Sequence, residues 1–241
     1  MPPPPPPAHL RARARPPKRA VAPRSRPPDL RFTPAPSLPN VLLLGDSISI
    51  GYTRPVRQLL TGKANVFRPL NAKGAAENCS DTGKGLTELD RWLALAPKWD
   101  VIHFNWGLHD LKHMQDGQPS SDPNAPPLRS LEEYRANLAK IVTRLKATGA
   151  HLVWASTTPV VTGTGNPFRN PEDPPRYNAA AAAVMTAHGV HVNDLFALVQ
   201  PRLATVQLPK NVHFTPAGSD LLARQVADAV LAELPPPAQA P

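Results

Sequence analysis

From Asn40 onward, short apolar runs alternate with stretches of helical period. Val41-Leu42-Leu43-Leu44 is such a run, ended by Gly45-Asp46-Ser47, and reads as a buried strand entering a loop. The pattern then predicts a helix near residues 54–60, a strand near 65–69 and a Gly/Asn-rich loop over 71–83. Leu86, Leu89, Trp92, Leu93 and Leu95 share one helical face, and residues 101–106 form a third strand ending at Gly107. The polar, proline-bearing stretch 114–127 reads as a long loop. Apolar positions at Leu131, Tyr134, Leu138, Ile141, Val142 and Leu145 then predict a helix closed by Gly149. A fourth strand over 151–156, a Gly/Pro loop over 162–175, an alanine-rich helix over 176–187, a fifth strand over 190–195 and a closing helix over 216–234 complete the series.

Strands and helices alternating at this spacing predict an α/β fold, a five-stranded parallel sheet with helices on both faces. Sites in such sheets form where loops leave the carboxyl ends of the strands. Residues 1–38 carry no such pattern. They open on Pro2 to Pro7 and continue as Arg, Pro and Ala, a composition that cannot bury enough surface to offset ordering, so a disordered tail is expected ahead of a single domain over 39–235. Before Val41 lie 14 of the 33 prolines and eight Lys/Arg against the single acid Asp29, so the tail carries +7 of the formal +9. The body is close to neutral, and no specific nucleic-acid recognition is expected of it. The tail is free to touch anionic surfaces.

No run approaches the roughly 18 apolar residues of a membrane span. Lone Cys79 excludes an intramolecular disulfide and a cysteine-based zinc site. Basic residues near the amino terminus are not followed by an apolar segment, so no secretory signal is recognisable and a cytoplasmic location is the default expectation. His109 and His113 stand four apart with His103 nearby, but Asp110 holds the place a zinc helix gives to Glu, and no metal site is expected. Trp92, Trp99, Trp106 and Trp154 read as core, with Trp106 alternatively lining a pocket.

Ser47 leaves the first strand on a turn where the next helix offers backbone N–H groups to a developing oxyanion. A serine needs a base within hydrogen-bond reach, and the candidate is His213 in Asn211-Val212-His213-Phe214-Thr215-Pro216. The plainer alternative makes Ser47 a helix cap and His213 a loop residue.

The segment Val41 to Tyr52 resembles the opening block of the SGNH, or GDSL, hydrolase superfamily, and Val212 to Gly218 resembles its closing block, where the catalytic histidine lies. Asn105 to Leu111 occupies the place of the family's Gly-x-Asn-Asp block, and Asn71 to Cys79 is similar to the glycine-bearing second block. The likeness spans about Asn40 to Leu234. It implies an α/β/α sandwich of flavodoxin-like shape and ester hydrolysis without a cofactor, on a small-molecule or glycan ester. Ser47 would be nucleophile and His213 base. The Ser47 and Gly74 backbone N–H groups and a third-block side chain would form the oxyanion hole, with Asp46 among the substrate-binding set. A carbohydrate acyltransferase and a non-catalytic glycan-binding member are the alternative functions.

Two positions depart from the family. Lys210 stands where the acid usually precedes the histidine, and a lysine cannot accept the imidazole N–H. A backbone carbonyl is the preferred substitute, with Asp194 the leading side chain and Asp110 and Asp220 behind it. His109 holds the place of the oxyanion asparagine, with Asn78 or Asn105 near enough in sequence to contribute.

Overall fold

The computed structural model describes residues 1–2 and 29–234. The elements run β1 (Asn40–Leu44), α1 (Ser47–Leu59), β2 (Asn65–Phe67), α2 (Thr82–Leu93), β3 (Val101–Phe104), β4 (Met114–Gln115), β5 (Gln118–Pro119), α3 (Leu131–Lys146), β6 (His151–Ala155), α4 (Asp173–His188), β7 (His191–Asn193), α5 (Leu195–Val199), α6 (Leu203–Val206) and α7 (Pro216–Glu233). A five-stranded sheet has the order β2-β1-β3-β6-β7, all neighbours parallel. Helices α1 and α7 pack together, as do α2, α3 and α4, so the sheet lies between two helical layers. The expected α/β/α architecture is the one found.

The apolar run at β1 is explained by its place. Val41 to Leu44 are each fully buried because helices cover both faces of a central parallel strand. Tyr52 and Val56 of α1 and Leu222, Val226 and Val230 of α7 join the same core as Leu89, Trp92, Leu138 and Ile141 of α2 and α3. The chain leaves β1 on one side, returns through β2 and crosses to β3, so the strand order reverses between β1 and β3. Loops diverge at that switch and leave a crevice.

Three expectations about elements are corrected, and two short helices are added that the pattern does not predict. Helix α1 begins at Ser47, seven residues before the expected position, and runs through Pro55. Asp46 makes that start possible, its Oδ1 accepting from Ile48 N at 2.8 Å. The expected loop over 114–127 contains the β4–β5 hairpin, and residues 195–206 form the two short helices α5 and α6, too short to show a period. The tail boundary also moves. Leu30 is buried, its N–H donates to Gly74 O at 2.8 Å, and its carbonyl accepts from Arg57 Nη1 at 2.6 Å. Residues 29–38 therefore belong to the packed domain, while the expectation for 3–28 lies outside the described residues. No described helix is long and apolar enough to cross a membrane.

Candidate active site

Ser47 is the first residue of α1, and because Asp46 supplies the cap, the Ser47 hydroxyl is free for another partner. That partner is His213, whose Nε2 lies 2.8 Å from Ser47 Oγ. The plainer reading of Ser47 as a cap is thereby corrected. His213 is held by a local turn. Leu208 N donates to His213 O at 2.9 Å and Thr215 N to Val206 O at 2.8 Å, while buried Gln207 donates to Pro159 O and Val212 O at 3.0 and 3.3 Å. Gly218 in the first turn of α7 is required by this packing, since a Cβ there would stand 2.2 Å from Val206 O.

The imidazole is oriented by Asn211. One oxygen, Asn211 Oδ1, accepts from the His213 backbone N–H at 3.0 Å and lies 2.7 Å from ring Nδ1. An amide oxygen only accepts, so Nδ1 carries the proton and Nε2 presents its lone pair to Ser47. This corrects both expected orienting groups. No backbone carbonyl takes the Nδ1 proton, and Asp194 caps α5 instead, its Oδ1 bonded to Ala197 N at 3.0 Å and Ser156 Oγ at 2.8 Å. Asp220 lies on α7 beside Pro55 and Gln58. Lys210, in a left-handed conformation with φ +51, lays its aliphatic stem near Gly163.

Ser47, Asn78, Leu108, His109, Arg169, Asn211 and His213 line one open cleft of about 450 Å³, together with Thr164, Asn166, Pro167 and Val212. His213 is itself exposed. The backbone N–H groups of Ser47 and Asn78 find no acceptor among the described residues, while Asn78 Oδ1 accepts from Ser80 N at 2.8 Å. Burial holds the His109 imidazole below its ordinary pKa, and nearby Lys112 and Arg169 push the same way against the raising effect of Asp46. His109 is therefore neutral near pH 7. Its Nδ1 is buried without a partner, whereas Nε2 is not sealed off.

Three further expectations are corrected. Gly74 does not face the cleft: its N–H donates to Asn71 O at 2.9 Å, and at φ +77 it admits the 29–31 segment, where a Cβ would meet Asp29 Oδ1 at 2.3 Å. Asn105 commits its amide to Ala155 O at 2.7 Å. Asp46 is buried and serves the helix, not a substrate. Trp106 lies in the core stacked on Trp92, and its Nε1 donates to Cys79 O at 3.3 Å. Burial also raises the Cys79 thiol pKa, as expected of an inert thiol. His103 bonds Asn193 and His113 packs on Phe168, and the described residues hold no cluster of three metal-ligating side chains.

Asp110, once a candidate acid, is buried under the start of α2, where Oδ1 accepts from Thr82 N at 2.9 Å. Burial raises its pKa from 3.8 to about 7, outweighing the hydrogen bonds from Thr82. A carboxyl whose folded value is raised supports stability fully at low pH and loses that support as pH rises through about 7. Asp110→Asn keeps the acceptor and removes the titration. Its melting temperature relative to wild type should therefore climb between pH 4 and pH 8, and a flat difference in calorimetry would contradict the assignment.

A hydroxyl and an oriented imidazole in contact at the carboxyl edge of a parallel sheet form the nucleophile–base arrangement of a serine hydrolase. The family model of the GDSL-like lipase/acylhydrolase family matches residues 43–221, and the chain belongs to that family of ester hydrolases. Similar solved structures carry the same fold. A lipase/acylhydrolase from Enterococcus faecalis is 19% identical with a TM-score of 0.66, covering 84% of this chain and 100% of that one. An acetylxylan esterase from Geobacillus stearothermophilus is 17% identical with a TM-score of 0.61, covering 80% and 94%. A GDSL-like lipase from Bacteroides thetaiotaomicron is 15% identical with a TM-score of 0.54, covering 81% and 89%. None of the curated proteins matches this chain.

Proposed function

We propose that the protein hydrolyses short-chain carboxylic esters, of the acetyl-on-polar-alcohol type, through an acyl-enzyme on Ser47. The observation that carries this reading is the 2.8 Å contact between Ser47 Oγ and His213 Nε2, with Nδ1 already committed to Asn211. Ser47 Oγ bonds to the acyl carbon as its proton passes to His213 Nε2. The tetrahedral oxyanion takes hydrogen bonds from the Ser47 and Asn78 backbone N–H groups and from His109 Nε2. The carbon–oxygen bond to the alcohol then breaks, and His213 returns the proton to the leaving oxygen. Water, deprotonated by His213, attacks the acyl carbon in turn, and Ser47 regains its proton as the acid leaves.

The lining of the cleft supports this substrate class. The cleft is open, and polar Thr164, Asn166, Asn211 and Arg169 stand among its lining residues, where only Leu108, Pro167 and Val212 are apolar. That lining favours a small acyl group on a polar alcohol such as a sugar over a long hydrocarbon chain. The likeness to an acetylxylan esterase agrees in kind. A panel of p-nitrophenyl esters tests the reading: kcat/KM for acetate and butyrate should exceed that for palmitate by about 10²-fold or more, several methylenes' worth of lost apolar contact. Preference for palmitate, or no hydrolysis of any ester, would overturn it.

His109 is expected to matter as a donor. Removing one oxyanion donor costs about 10²–10³ in rate. His109→Ala should therefore lower kcat about 10²-fold, and His109→Asn, which restores an amide N–H, should stay within about tenfold of wild type in the same assay.

A further inference from the structure

Arg68 follows β2 and is fully buried, yet no carboxylate pairs with it among the described residues. Nη1 donates to Ser49 Oγ at 2.7 Å and Thr53 Oγ1 at 3.2 Å. Nη2 is shared among three carbonyls, Gly45 O at 2.7 Å, Glu77 O at 3.0 Å and Asp46 O at 3.3 Å. Two of these carbonyls are informative. Asp46 C=O lies in one peptide plane with Ser47 N–H, and Glu77 C=O in one plane with Asn78 N–H. Both bonds are trans, the cis bond of the described residues being Asn166–Pro167. In a trans peptide the C=O and N–H point in opposite directions, so a donor gripping the carbonyl fixes the aim of the N–H behind it. Both Ser47 and Asn78 line the cleft, and neither N–H has an acceptor among the described residues.

We propose that Arg68 is a positioning residue that clamps the two oxyanion-donating peptides from behind and polarises their N–H groups toward the cleft. The proposal rests on Ser47 as the nucleophile. The cation is desolvated, so its field acts through a low-dielectric interior, and donors chained through polarised peptides reinforce one another. An unpaired buried guanidinium is costly, and linking two loops alone needs no charge. Cys79 N ties the two loops by donating to Gly45 O at 3.0 Å, while Ser49 Oγ braces the first from within at Asp46 O (2.7 Å) and Lys84 Nζ of α2 braces the second at Asn78 O (2.9 Å). Arg68 adds to that frame a positive charge shared by both donors.

The test compares wild type, Arg68→Lys, Arg68→Met and Ser49→Ala by p-nitrophenyl acetate kinetics, by affinity for phenylboronic acid and by melting temperature. A boronate on Ser47 places an oxygen where the oxyanion forms, so its affinity reads the hole without turnover. Arg68→Lys keeps a charge but cannot span the carbonyls. It should lower kcat about 10²-fold with KM within about threefold, and boronate affinity should fall in parallel. Ser49→Ala, which removes one anchor of Nη1 and one donor to Asp46 O, should lose about tenfold in both readouts. Should the Arg68 variants fail to fold, Ser49→Ala decides alone. Folded variants that keep kcat and boronate affinity within about twofold, or that lose only KM, overturn the role of Arg68 while leaving an active, Ser47-dependent esterase. An inactive wild type overturns the esterase reading and this proposal with it.

Discussion

Ser47→Ala should lower p-nitrophenyl acetate turnover by at least about 10⁴-fold in a protein that stays folded. The size of the loss follows from the site. Among the described residues no second hydroxyl or thiol is hydrogen-bonded to His213: Cys79 is buried with a raised pKa, and Ser49 is bonded to Asp46 O and Arg68. The fold should barely register the change, because Asp46 caps α1 and, among the described residues, Ser47 Oγ bonds only His213. A surface change of this kind costs within about 0.5 kcal/mol. Calorimetry beside the kinetics checks both halves. A variant retaining more than about a hundredth of wild-type turnover would mean that water, or another group, does the work assigned to Ser47.

Asn211→Ala is the second large effect, an expected loss of about 10³-fold in kcat with little change in KM. Asn211 Oδ1 selects the tautomer and holds the ring, both through bonds to a residue two positions away. Without it the imidazole is an exposed side chain free to rotate, and Nδ1 has no acceptor to keep its proton there. Asn211→Asp places a carboxylate at the same spot and favours the imidazolium that forms during reaction, so kcat should rise, by about threefold to tenfold given the solvent screening of an exposed pair. Lys210→Asp should give no such gain. Lys210 lies in a left-handed turn beside Gly163, and Nδ1 is already occupied. A gain from Lys210→Asp together with a silent Asn211→Ala would show that the ring is oriented from the other position.

The strands and the long helices were legible because burial on both faces leaves unbroken apolar runs, as in Val41 to Leu44, and burial on one face leaves the period seen at Leu138, Ile141, Val142 and Leu145. Helix α1 was misplaced because Pro55 fits a first helical turn better than the middle of one. The sequence marked Ser47 and His213, but its choice of supporting residues was uneven. Gly74 attracts attention as the glycine of its loop, yet its left-handed turn accommodates residues 29–31, and the residue of that loop that brings an unaccepted N–H to the cleft is Asn78. Asp194 is a carboxylate in a plausible place that turns out to be a helix cap. The group that orients His213 carried a readable signal: an asparagine two residues before a histidine can close an Asx turn and offer the same oxygen to the ring. Arg68 and Arg169 carried none, since nothing in a single arginine tells whether its guanidinium is solvated or gathers buried carbonyls.

The central claim is that Ser47 is a nucleophile activated by His213, and intact-mass labelling with a fluorophosphonate followed by peptide mapping tests it most directly. One adduct per chain is predicted, on Ser47, absent from Ser47→Ala and strongly slowed in His213→Ala. An unlabelled wild type, or an adduct that persists on another residue in both variants, would contradict the account.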